Sequence, residues 1–278
     1  MKPPICYFGG KTTVGPAIAR LLPAHRHYVE PYCGSLAVLL AKAPSDHETV
    51  NDLDGRLMTF WRVLRDQPAD LARVCALTPH SRAEHAEAKA EMLNTDDLEL
   101  ARQVFVRLTQ GGSGQLRRSG WRNYVNPSGS SASMPDYLAG YVDRIAPAAE
   151  RLQHVSLESI PALNIVTKYG CEPDVLLYVD PPYLGSTRTG SAVRYDHEMR
   201  SAADHRELAE ALHAARAAVV ISGYPSDLYD LDLYAGWDRH TIVSGTGQGT
   251  DGWSNRVEVI WSSRPLGRQL ELDLKEER

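Results

Sequence analysis

The stretch "HYVEPYCGSLAVLL" (His27–Leu40), followed shortly by "ETVNDLDGRLMTFWRVLRD" (Glu48–Asp66), decides the fold class. The first reads as a short strand, a glycine-containing turn and a helix beginning near Ser35. The second reads as a strand ending in acids at Asp52 and Asp54, then a helix with apolar residues at Leu57, Phe60, Trp61 and Leu64. Strand, helix, strand, helix in this order predicts an α/β fold, a parallel sheet with helices on both faces. Strand-like stretches return in "HVSLESI" (154–160), "VLLYVDPPY" (175–183), "AAVVISGYP" (217–225) and "RVEVIWSS" (256–263). Between them Ser201 stands three residues before Asp204, close to a capping box, with Leu208, Leu212 and Ala215 at helical spacing behind it.

Between these portions the composition changes. Pro68 to Gln110 is rich in Ala, Leu, Glu and Arg, whereas Gly111 to Ser133 is rich in Gly, Ser and Arg with Trp121 and Tyr124. Such a break predicts an insertion over 66–154, with 1–65 and 155–278 sharing one sheet.

The 278 residues can bury a core, and no apolar run approaches the roughly 18 residues of a membrane span. The start, Met1-Lys2-Pro3-Pro4, does not read as a signal peptide, so a cytoplasmic location is expected. Four scattered cysteines form no C-x-x-C pair and the ten histidines no ligand pattern, so no metal is expected. A net charge of −5 argues against general polyanion binding. Locally the balance reverses: Ala101 to Pro135 holds five arginines and no Asp or Glu. That fits a specific nucleic-acid face, with solvated surface charge as the competing reading for any single arginine.

In open parallel sheets, ligands bind at the carboxyl ends of strands near a topological switch point, so acids and glycines there carry weight. At Glu30-Pro31-Tyr32-Cys33-Gly34-Ser35, Gly34 lets backbone approach a ligand beside free N–H groups. At Asn51-Asp52, about 20 residues on, a carboxylate suits the two hydroxyls of a ribose. The G-x-G-x-x-G fingerprint of nicotinamide dehydrogenases is absent. The third strand end is Asp180-Pro181-Pro182-Tyr183. Its prolines remove backbone donors and stiffen the turn. A carboxylate, a bare carbonyl and an aromatic ring on a stiff loop suit a flat heterocycle bearing an amine, which would stack on Tyr183 and donate to Asp180 and the Pro181 carbonyl.

Five motifs in order, "YFGGK" (Tyr7–Lys11), "EPYCGSLAVLL", "NDLD" with its helix, "DPPY", and "SGY" followed by "RVEVIW", resemble the Dam-like, α-group DNA adenine N6-methyltransferases. The resemblance implies a Rossmann-like S-adenosylmethionine-dependent sheet whose 66–154 insert is a target-recognition region. It implies S-adenosylmethionine as cofactor, touched by Tyr7, Lys11, Asp52 and Asp180. Gly9 and Gly10 join the N-terminal set, and Glu30, Pro31 and Gly34 the turn after the first strand. It departs from the family's richer glycine turn, for Gly34 is followed by Ser35 and Leu36, and Glu158, Ser159 and Ile160 leave open which residue meets the cofactor adenine.

The activity so implied is transfer of methyl to the N6 amine of an adenine flipped from duplex DNA, with Asp180, Pro181 and Tyr183 catalytic. Arg107, Arg117, Arg118 and Arg122 are expected on phosphates or guanine edges, Trp121, Asn123 and Tyr124 as wedge or base readers, and Arg188 and Arg194 beside the flipped base. The alternatives are N4-cytosine methylation, in which Ser more often stands where Asp180 does, and a non-catalytic relative that binds DNA or cofactor. Expected partners are duplex DNA and a cognate restriction endonuclease, with the chain a monomer or weak dimer.

Overall fold

The computed structural model describes residues 1–88, 96–116, 120–123, 133–182, 199, 201–245 and 255–267. Seven strands, β1 (His27–Glu30), β2 (His47–Asn51), β3 (Val155–Glu158), β4 (Val175–Val179), β5 (Ala218–Gly223), β6 (Asp238–Gly245) and β7 (Asn255–Ser262), form one sheet in the order β3-β2-β1-β4-β5-β7-β6. Strands β1 to β5 are parallel, and β7 runs antiparallel between β5 and β6. The chain steps outward from β1 to β3, then returns to lay β4 on the other side of β1. The β1–β4 boundary is therefore the switch point, where the carboxyl ends of two neighbouring strands diverge and leave a crevice.

The helices are α1 (Gly15–Leu21), α2 (Gly55–Asp66), α3 (Pro68–Leu77), α4 (Arg82–Glu87), α5 (Asp97–Thr109), α6 (Met134–Val142), α7 (Ile145–Leu152), α8 (Ala162–Gly170) and α9 (Ala202–His213). Strand residues alternate between two cores, as the two-residue period of a strand requires. Tyr28, Leu176, Tyr178, Val220 and Ile260 face one layer with α2, α3, α5 and α7. Val29, Leu177, Val179, Val219 and Ile221 face the other, with α8 and α9. The expected apolar face of α2 is buried as read, at Leu57, Phe60, Trp61 and Leu64. Ser201 and Asp204 form the full capping box of α9.

The expected helix from Ser35 does not form. Residues 33–42 are a series of turns, with Gly34 at φ +45° and Leu36 at φ +57°. Two left-handed residues so close together interrupt a right-handed helix, at a cost of about 1–2 kcal/mol for Leu36. Residues 35–40 are all buried, and an apolar run with no polar face carries no helical period to distinguish a helix from buried turns. The 66–154 stretch packs as part of the main body: Leu71, Cys75, Val104, Phe105, Leu108, Ile145 and Leu152 join the same cluster as α2 and the sheet. No helix among the described residues is long and apolar enough to cross a membrane.

Candidate active site

A cavity of about 460 Å³ opens at the carboxyl ends of β1, β2 and β4. Tyr7, Gly9, Gly10, Lys11, Glu30, Pro31, Gly34, Asp52 and Asp180, drawn from four separate parts of the sequence, all line it. Sequence reasoning did not single out other parts of its apolar wall, the segment 161–163 and Met199. These residues carry no motif signal, because a wall is made by whichever apolar side chain the fold happens to bring there.

Close backbone approach shapes one side. A Cβ on Gly34 would lie 3.0 Å from the ring Cδ1 of Tyr7, and one on Gly10 would lie 2.8 Å from the Tyr7 carbonyl. The turn is held from behind by Trp61 of α2, whose indole donates to the Gly34 carbonyl at 3.0 Å. Asp52 accepts the Gly34 N–H at 3.1 Å and the Asp54 N–H at 3.0 Å, one on each carboxylate oxygen. Two amides orient the carboxylate. Beside it Asn51 is buried. Its amide donates to the Pro31 carbonyl at 2.9 Å and the Ile160 carbonyl at 3.0 Å, and its Oδ1 accepts the Ile160 N–H at 2.9 Å.

The second side is a charged cluster. Lys11 Nζ lies 2.7 Å from each carboxylate oxygen of Asp180. The Ser222 hydroxyl, on β5, donates to Asp180 Oδ1 at 3.0 Å and itself pairs with the Tyr178 hydroxyl at 2.9 Å. Beneath, the Tyr28 hydroxyl donates to Glu30 Oε2 at 3.0 Å. Burial pushes the Glu30 carboxyl well above the usual carboxylate range; the Tyr28 hydrogen bond opposes this and the charge of Asp180 reinforces it. "SGY" and "RVEVIW" add two residues to this cluster, Ser222 and Glu258, which sequence reasoning quoted only within their motifs.

Residues 7–109 match the family model described as D12 class N6 adenine-specific DNA methyltransferase. The chain is similar to that class over this N-terminal part. The type II methyltransferase M1.LlaDCHI of Lactococcus lactis subsp. cremoris is 25% identical over 256 residues, 87% of each chain. A DNA adenine methylase of Vibrio cholerae serotype O1 is 24% identical over 196 residues, 67% of each chain. The solved structure of precorrin 8W decarboxylase from Methanobacterium thermoautotrophicum overlaps at a TM-score of only 0.36 and 11% identity, across 94% of this chain and 97% of that one, too loosely to carry an argument.

The cavity fits the S-adenosylmethionine that the resemblance implies. Its volume is in the range of small-molecule sites, the close glycine backbone leaves room that side chains would fill, and carboxylates at Asp52 and Asp180 stand among apolar walls. Of the residues left open for the cofactor adenine, Glu158 pairs with Lys168 at 3.0 Å, and the Ser159 hydroxyl donates to the Asp52 carbonyl at 3.1 Å. Pro161, Ala162 and Leu163, which follow them, line the cavity.

The expected DNA-binding residues divide. Arg107 is a correction: it is wholly buried, donating through Nε to the Leu116 carbonyl at 2.7 Å and lying 3.2 Å from His85 Nε2. A guanidinium inside the core supports the chain rather than touching phosphate. Trp121 stacks on His80 at 4.5 Å, with the Arg82 guanidinium 4.6 Å from its ring. Arg122 donates to the Tyr137 hydroxyl at 2.7 Å. Trp121 bridges to Gly111 and the Arg122 N–H donates to the Gln110 carbonyl at 2.8 Å, while the Phe8 N–H donates to the Gly114 carbonyl at 2.9 Å, joining this region to the "YFGGK" motif. Pro181 is buried beside the cavity wall. Arg117, Arg118, Tyr124, Tyr183, Arg188 and Arg194 lie outside the described residues.

Proposed function

We propose that the protein methylates the exocyclic N6 amine of an adenine flipped out of duplex DNA, using S-adenosylmethionine. The observation that carries the reading is Asp180, a carboxylate at the carboxyl end of β4, on the wall of the switch-point cavity and fixed there by Ser222 and Lys11.

When bound, the cofactor supplies an electrophilic methyl group on a sulfonium. Tyr7, Gly10, Gly34 and Glu30 would hold its amino-acid side, with Asp52 at the ribose and Leu53, Pro161 and Leu163 around the adenine. Asp180 and the Pro181 carbonyl accept the two hydrogens of the target amine, which localises the nitrogen lone pair and stabilises the positive charge growing there. Once the nitrogen has gained its methyl, Asp180 passes its surplus proton to water. Tyr183 stacks the base and offsets part of the few kcal/mol that flipping costs. Pro31, Tyr32 and Pro182 keep water from the reacting groups. Arg117, Arg118, Arg188 and Arg194, with Arg122 and Trp121, would hold the duplex through its phosphates.

The test is incubation with labelled S-adenosylmethionine and unmethylated plasmid DNA, followed by digestion to nucleosides. Label in N6-methyladenosine supports the reading. Label in N4-methylcytidine moves the activity to cytosine, and no label in either overturns it. Whether a restriction endonuclease accompanies the enzyme, and whether it acts as monomer or weak dimer, would follow from its genomic neighbourhood and from sedimentation.

A further inference from the structure

The site described so far is built from parallel strands, yet one of its charged groups arrives from the opposite direction. Strand β7 runs antiparallel to β5 with Val259 beside Gly223, the last residue of β5. Glu258 therefore stands one residue past the end of β5, at the same edge of the sheet as Asp180. It is buried, and its Oε1 lies 3.6 Å from Lys11 Nζ.

Lys11 thus sits between two carboxylates, with Asp180 at hydrogen-bonding distance and Glu258 just outside it. The contact with Asp180 has a chemical consequence. An ammonium spread across both carboxylate oxygens satisfies the lone pairs that a target amine would need, and weakens the carboxylate as an acceptor. Ser222 occupies Oδ1, so the oxygen to be released is Oδ2. A displacement of roughly 1 Å toward Glu258 would bring Nζ within ordinary hydrogen-bond range of that carboxylate. The ammonium would stay paired throughout, avoiding the cost of a bare buried charge.

We infer that Glu258 is a positioning residue that takes up the Lys11 ammonium when the target base enters, so that Asp180 Oδ2 is freed to receive the amine. The inference rests on the methylation reading above and assigns the first strand of the C-terminal antiparallel pair in sheet order, β7, a part in the chemistry. Glu258 acts through Lys11 and touches neither base nor cofactor in this role. Its loss should therefore appear in turnover and not in cofactor affinity.

The test uses the full chain with unmethylated plasmid DNA, labelled S-adenosylmethionine for turnover and S-adenosylhomocysteine calorimetry for binding. Glu258→Gln, of nearly the same volume, is measured in the wild-type and Lys11→Met backgrounds. The inference expects kcat at least tenfold lower in the first background, S-adenosylhomocysteine affinity within twofold of wild type, and a further change under twofold in the second, since a residue acting through Lys11 has nothing left to act on. A kcat within twofold of wild type, an equal fall in both backgrounds, or a fall that tracks lost cofactor affinity would overturn it. If the glutamine variant does not fold, Glu258→Asp, which keeps the charge but withdraws it from Nζ, is read by the same criteria. Failure of the wild-type protein to label adenine would overturn the methylation reading and this inference with it; wild-type labelling with an unaffected Glu258→Gln overturns this inference alone.

Discussion

The side chain of Asn51 and the backbone of Ile160 pair in both directions, N–H to Oδ1 at 2.9 Å and Nδ2 to carbonyl at 3.0 Å. The same amide also holds the Pro31 carbonyl at 2.9 Å. One buried residue at the end of β2 therefore ties together the turns that follow β1 and β3, the two walls between which the adenosyl group would lie. Asn51→Ala leaves these backbone groups without partners, each costing about 1–3 kcal/mol when buried. The expected result is a clear drop in thermal midpoint and about tenfold weaker binding of S-adenosylhomocysteine by calorimetry, with a smaller change in saturated kcat.

Asp180→Asn keeps the shape of the side chain but removes the charge that faces the amine. Turnover should fall at least 10²–10³-fold, the scale of losing an electrostatic stabiliser of a transition state. Lys11 is then left a poorer partner, so stability should also drop, by at most about 3 kcal/mol. Parallel assays of labelled methyl transfer and of thermal unfolding separate the two effects, and near-normal transfer by a folded variant would rule Asp180 out.

Gly34→Ala places a methyl group 3.0 Å from the Tyr7 ring at a residue with φ +45°. A left-handed alanine costs about 1–2 kcal/mol, and the contact pushes Tyr7 into the cavity. Weaker cofactor binding at little cost in secondary structure is expected, measured by calorimetry and circular dichroism.

Glu30 gives a pH dependence whose sign follows from its burial. Its carboxyl titrates well above the usual range in the folded chain, so the native state binds this proton more tightly than the unfolded state does. Its contribution to stability is full below the unfolded value near 4.3 and is lost as pH rises toward the folded value. Glu30→Gln removes that dependence while its amide oxygen still accepts from Tyr28. Thermal midpoints of the two proteins should diverge in favour of the variant as pH climbs from 5 to 8 (on the order of three units of titration range); parallel curves would refute this.

Arg107→Met should destabilise the fold, by about 3 kcal/mol on the scale of broken buried polar networks, without changing how DNA affinity depends on salt. Charge reversal at Arg117 and Arg118 should do the opposite, flattening the salt dependence of DNA binding in a stable protein. Filter binding over a range of salt concentrations distinguishes them.

How far the sequence could be read depended on the reach of each signal. The α2 helix, the capping box of α9 and the DPPY strand end were legible because their cues are local: a 3.6-residue apolar period, a Ser–Asp spacing, prolines after an apolar run. The turns at 33–42 were not, since "SLAVLL" is apolar throughout and a helix or a buried turn satisfies it equally. Strand β6 escaped because "DRHTIVSG" is polar, as an edge strand open to solvent can be. Arg107 misled because charge in a sequence carries no depth.

By itself the sequence determined the α/β class, placed acids at two strand ends, Asp52 and Asp180, and, through five ordered motifs, carried a resemblance to one family. Tertiary structure decided what those residues do to one another. Lys11 and Asp180 are 169 residues apart, and Glu258 reaches them only because β7 runs antiparallel and delivers its early residues to the edge where the parallel strands end. Contacts of that kind depend on sheet order and strand direction, which long-range packing sets and which no local pattern along the chain records.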